Sequence, residues 1–101
     1  MFEPRLSGPT LKVLRLMLAN VATRYSGAAI TKETGIGAGT LYPLLARLEQ
    51  GGWLTSEWEA VDPSKAGRPR RRFYRLTGVG QKQARHELEQ LQIGGKLAWT
   101  S

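Results

Sequence analysis

Leu11, Leu14, Leu18 and Val21 recur at the spacing of one helical face, while Lys12 and Arg15 fall on the other side. Val13 and Met17 add a second apolar stripe to this segment. A helix apolar on two sides packs against two bodies, here its own domain and a partner subunit. Ser7 and Pro9 mark its start, because a hydroxyl caps the first amides and proline suits the first turn. A short second helix is predicted from Ser26 to about Thr34, closed by Gly35. Leu41, Leu44, Leu45 and Leu48 then give the clearest amphipathic pattern in the chain. They predict a third helix from about Ala38 to Gln50, ending at Gly51–Gly52. Pro43 is tolerated as a residue of about the first turn.

Beyond the glycines the helical period breaks. Trp53-Leu54-Thr55-Ser56-Glu57-Trp58-Glu59 is rich in strand formers, with Trp53 and Trp58 as core and sheet residues. Asp62 to Pro69 is dense in turn residues, and Arg70 to Thr77 reads as the returning strand of a hairpin. Thr77 caps a last helix carrying Ala84, Leu88 and Leu91 on one stripe. Gly94–Gly95 predicts its end near Gln92, which makes 78–92 a helix and 93–101 a tail within one domain, 1–101. Three helices, a hairpin and a helix describe a mainly α fold with a small β-hairpin, the winged helix–turn–helix.

Fifteen Lys and Arg against eight acids leave a formal charge of +7 on 101 residues, which favours an anionic partner. Cysteine is absent, so disulfides, thiol nucleophiles and cysteine-held metals are excluded. No apolar run approaches the ~20 residues of a membrane span. Met1 to Ser7 lacks the basic-then-apolar layout of a signal peptide. The expectation is a soluble cytoplasmic protein with no membrane partner.

The sequence holds one histidine, His86, and one aspartate, Asp62. Acid–base and metal-assisted chemistry needs converging groups, and here the acids are scattered singly. Glu57 and Glu59 share a strand face, but with no His or Lys cluster beside them they read as solvated edge charges. No catalytic residue, metal site or cofactor is expected. Gly35-Ile36-Gly37-Ala38-Gly39-Thr40 is not a phosphate loop, because a preceding strand and a Gly-Lys-Ser/Thr ending are both missing. It reads as the turn between the second and third helices.

Gly39-Thr40-Leu41-Tyr42-Pro43-Leu44-Leu45-Ala46-Arg47-Leu48-Glu49, then Gly51-Gly52-Trp53-Leu54, resembles the signature of PadR-type transcriptional regulators. Gly67-Arg68-Pro69-Arg70-Arg71-Arg72-Phe73-Tyr74-Arg75-Leu76-Thr77 is similar to that family's wing and its exit into the last helix. The likeness spans roughly Leu11 to Gln90. It implies a homodimeric bacterial or phage repressor, associated with the nucleoid, that binds a palindromic operator in double-stranded DNA, sometimes released by a small-molecule effector. Members resemble one another in a long dimerisation helix, whereas the glycine pair here predicts only about four turns.

Charge placement points the same way without the family. Lys65, Arg68, Arg70, Arg71, Arg72 and Arg75 fall within eleven residues, with no acid between Asp62 and Glu87. Cations on a protruding hairpin follow phosphates or enter the minor groove. At the start of the third helix Ala38, Gly39, Thr40, Tyr42 and Pro43 are the exposed positions, set to enter the major groove. Arg47 and Lys32 are expected on the phosphate backbone. Few of these side chains can make bidentate base contacts, so specificity is expected to lean on DNA shape and on the wing. Val13, Met17, Leu88 and Leu91 are the expected dimer contacts. Trp99 belongs to a dimer contact or to a site for a planar ligand. Two rival functions remain: a winged-helix adaptor for protein partners, and an architectural or recombination-directionality factor that bends DNA.

Overall fold

The computed structural model describes the backbone of residues 7–100 and the side chains of residues 7–90. Its elements run α1 (Gly8–Ala19), β1 (Tyr25–Ser26), α2 (Gly27–Thr34), α3 (Ala38–Gln50), β2 (Leu54–Trp58), α4 (Pro63–Ala66), β3 (Arg72–Leu76) and α5 (Gly78–Thr100). Ser7 and Ser26 cap α1 and α2, their hydroxyls accepting from the Thr10 and Ala29 amides. Gly35 ends α2 in the left-handed conformation, φ 77°. Thr34 stitches the following turn, donating to the Ile30 carbonyl at 2.7 Å and accepting from the Ile36 amide at 3.2 Å.

The core gathers Val13, Leu14 and Met17 of α1, Ile30 of α2, all four α3 leucines, and Leu54, Tyr74, Leu76 and Ala84. This corrects the dimer assignment of Val13 and Met17. They are 0% and 2% exposed within the chain itself, whereas Leu11, Leu18 and Val21 are only half-buried. Both stripes obey helical spacing, and the deciding residue is Thr10. Its small side chain is buried beside Ser7, 3.0 Å between the hydroxyls, and completes an inward face 10-13-14-17. Pro43 also falls later than expected, in the second turn of α3, where it has no N–H to give the Gly39 carbonyl.

The hairpin is part of a three-stranded antiparallel sheet of order β1-β3-β2. Two-residue β1 escaped the sequence because it shows no alternation of its own. It pairs Tyr25 with Tyr74 and Ser26 with Phe73, tying the start of α2 to the wing. The β2–β3 register runs from Leu54↔Leu76 to Trp58↔Arg72. Leu54, Tyr74 and Leu76 close the core, and Thr55 and Arg75 point to solvent. Trp58 corrects another expectation: it is 58% exposed. It shares the face of Leu54 but lies four residues on, ~13 Å along the strand, past the cover of the helices.

At the far end of the hairpin Thr77 takes its expected capping role, accepting from the Gly80 amide at 2.9 Å and donating to the Gly52 carbonyl at 2.6 Å. Gly80 is obligatory, since a Cβ there would collide with the Trp53 carbonyl. From this junction α5 runs 23 residues to Thr100, through Gly94–Gly95, so helix replaces the expected stop near 92 and, as far as residue 100, the expected tail. Mid-helix glycine costs only about 1 kcal/mol against alanine and is no stop signal by itself. Leu88 is half-buried. The side chains of Leu91 and Trp99 lie outside the described residues.

Candidate nucleic-acid interface

Burying Leu41, Leu44, Leu45 and Leu48 fixes which side of α3 faces outward. Ala38, Gly39, Thr40, Tyr42, Pro43 and Arg47 all lie on that exposed side. Gly37 begins the helix without a side-chain cap, unlike the serines of α1 and α2. With the Thr40 amide donating to the Gly37 carbonyl at 3.1 Å, the Ala38 and Gly39 N–H groups at the mouth of α3 are those open to an anion, with the positive end of the helix dipole behind them. Tyr42 is 48% exposed and lies across the start of α2. A side chain at Gly27 would strike its ring and hydroxyl, so the glycine makes the seat that holds Tyr42. Lys32 and Arg47 are exposed in the last turns of α2 and α3, where a cation also complements the helix dipole.

The wing divides its cations into two groups. Arg68 is drawn back on to Glu59, its Nη1 and Nη2 donating to the two carboxylate oxygens at 2.7 and 3.0 Å. Hydrogen bonding from Arg68 holds the Glu59 carboxyl down to about 2, well below its ordinary 4.5. Arg72 is likewise turned inward. Its Nε donates to Ser56 Oγ at 2.9 Å, its Nη2 lies 3.6 Å from Glu49, and its guanidinium stacks on the Trp58 ring at 5.0 Å. Ser56 in turn donates to Glu49, which links the wing to the last turn of α3. Arg68 and Arg72, both expected on DNA, thus also engage the protein's own groups, with their side chains still 35% and 37% exposed.

Lys65, Arg70 and Arg71 remain exposed. Among the described residues no carboxylate lies within ion-pair range of any of them. Arg70 gives only its Nε, to the Val61 carbonyl at 2.9 Å. Lys65 sits on α4, a single turn capped by Asp62 inside what reads in sequence as plain loop. Glu57 is also not a bare edge charge. Arg24 donates to it at 2.8 Å and, with its positive charge, holds the carboxyl below its ordinary value. The same guanidinium lies 5.0 Å over the Phe73 ring, fastening β1 to the outer face of the sheet.

Between Tyr42 of α3, the start of α2 at Gly27 and the wing lies a cleft of about 430 Å³, whose wing side is lined by Trp58 and by Arg68, Arg70, Arg71 and Arg72 alike. It brings Tyr42 and the four wing arginines to one side of the molecule. Burial raises the Tyr74 phenol above its ordinary value, so it stays a neutral hydrogen-bonding group in the cleft.

Comparison with known families and folds fits this geometry. The model of the transcriptional regulator PadR-like family matches residues 17–86. The chain belongs to the PadR-like family. A PadR family transcriptional regulator from Eggerthella lenta is 30% identical, with a TM-score of 0.69 over 92% of this chain and 87% of that one. A PadR-like regulator from Bacillus cereus, 16% identical, shares the fold with a TM-score of 0.70 over 90% and 87% of the two chains. The PcaV transcriptional regulator of Streptomyces coelicolor, solved with its natural ligand, shares it at 21% identity and a TM-score of 0.66, over 84% of this chain and 55% of that one. No curated protein matches the chain significantly.

The PadR-like family is one of DNA-binding transcriptional regulators rather than enzymes. No helix among the described residues is long and apolar enough to cross a membrane. Sequence reasoning for this PadR-like chain missed Arg24, Gly27, Trp58 as a surface residue, and Glu59 as a partner of Arg68. The signal for Glu59 was available, because an acid one residue after a strand and nine before an arginine can close a hairpin loop across its base. The signal for Gly27 was not, since nothing in the sequence places Tyr42 against it.

Proposed function

We propose that the chain is a repressor that binds a roughly palindromic operator as a homodimer. The N-terminal turn of α3 enters the major groove, and Arg70 and Arg71, with Lys65 behind them, reach the neighbouring minor groove. One observation carries this: Tyr42 of α3 and the four wing arginines, Arg70 and Arg71 among them, line a single cleft. Thr40 and the uncapped amides of α3 supply hydrogen bonds to a base edge or phosphate. Arg68 and Arg72, which line the same cleft, hold the wing at its angle to α3 through Glu59 and Glu49.

Homodimer formation is supported by α5, whose 23 residues span ~34 Å, more than one small domain needs for its own cover. With Val13 and Met17 inside the core, half-buried Leu18 and Leu88 take their place as proposed contacts, joined by Leu91. A dimer sets two α3 helices about one DNA turn apart, hence the paired half-sites. A small-molecule effector is part of the proposal, on the strength of the family and of the ligand carried by PcaV. Trp99 stays a candidate for its site.

Selection of genomic fragments by the purified chain, followed by mobility shift on the recovered sequence, tests the proposal. The expected outcome is a short inverted repeat bound by two chains. Absence of duplex binding even at low salt would favour a protein-interaction adaptor. Binding to several adjacent sites with strong bending would favour an architectural factor.

A further inference from the structure

We propose that Glu59 is a positioning residue for DNA binding, a latch across the wing base that presents Arg70 and Arg71 to the duplex. This rests on the assignment of those two arginines as DNA contacts. Glu59 stands one step beyond Trp58↔Arg72, the last paired position of β2 and β3, directly across from Arg71. Its amide donates to the Arg71 carbonyl at 2.7 Å, as the next rung of the ladder would. The returning bond is different: the Arg71 amide donates at 3.3 Å to the Glu59 carboxylate, not to its backbone. The same carboxylate receives both terminal nitrogens of Arg68. One side chain, 15% exposed, thereby closes the loop from both sides.

Inside that closure the tip is braced again, by the Asp62 cap on α4 and by the bond from Arg70 Nε to Val61. Side chains held by such supports lose less freedom on binding than those of an open loop. An acid within a basic DNA-binding surface ordinarily weakens binding through its charge. The latch requires the opposite sign, so the two roles separate cleanly.

The experiment measures binding of the full chain to its selected duplex for E59Q, R68A, E59Q/R68A and R70A/R71A. It runs across a salt series and well below each variant's melting midpoint. E59Q makes the protein more positive, yet is expected to bind about fivefold more weakly. R68A is expected to lose a similar factor with a smaller change in salt slope than R70A/R71A, because the Arg68 charge is already paired with Glu59. The double variant is expected to be no worse than the weaker single one, since both remove one contact. Faster amide exchange across residues 60–71 accompanies both.

Equal or tighter binding by E59Q, or additive losses in the double variant, overturns the latch. R70A/R71A locates the failure. If it binds less tightly while E59Q does not, the latch alone is wrong. If it binds as wild type, the wing assignment fails and the latch falls with it.

Discussion

α3, through Tyr42, and the wing, through its arginines, line one cleft, yet they are built on opposite terms. The helix is fixed from beneath by four leucines no more than 2% exposed, and its outer side carries almost no charge. The wing has little apolar support, and its cations are its main feature. Packing therefore sets the helix rigidly and leaves small groups such as Gly39 and Thr40 exposed for the close approach to DNA proposed above. In the wing, arginine serves two purposes: Arg68 and Arg72 hold the ribbon while Arg70 and Arg71 extend from it. A dense basic run is thus a poor count of DNA contacts, because some of the charge is structural.

The difference predicts that damage to one region removes the fold, whereas damage to the other removes only binding. Leu45→Ala should cost about 2–5 kcal/mol, read as a lowered melting midpoint and denaturant midpoint. R70A/R71A should leave the melting midpoint within about 2 °C of wild type. Its affinity for the selected duplex should fall about tenfold or more, and its salt slope should drop by about two. A large melting change in this variant would break the division of labour between the regions.

Smaller effects sharpen the contrast at the border of the two regions. Gly27→Ala should cost under about 1 kcal/mol of stability, because the obstructing group is the outer end of the Tyr42 ring, which can swing aside. Binding should nevertheless fall by about two- to fivefold, since Tyr42 loses its seat beside the cleft. Acid should loosen the wing before the core. Glu59 has its carboxyl lowered from 4.5 to about 2. Its contribution is complete above about 4.5 and fades as pH falls toward 2. Amide exchange measured from pH 5 to pH 2.5 should show residues 60–71 losing protection ahead of α3.

Most of the architecture was legible because it rests on repeating apolar spacing, and α3 was placed residue for residue. What spacing could not do was choose between two apolar stripes on α1, where the buried threonine at position 10 decided for Val13 and Met17. Nor could it show that α5 passes through Gly94–Gly95, because glycine stops a helix only where the backbone turns left-handed, as at Gly35. The exposed side of α3 followed directly from its leucines. The pairing within the wing did not, since a row of arginines carries no mark of which ones meet Glu59, Glu49 or Trp58.

Methylation protection of the selected duplex tests most directly whether helix and wing grip DNA together, because guanine N7 reports the major groove and adenine N3 the minor groove. The wild-type chain should protect N7 in each half-site and N3 about half a turn, ~5 base pairs, to its side. R70A/R71A should keep the first protection and lose the second. Loss of both together, or of neither, would contradict a grip shared between the mouth of α3 and the wing.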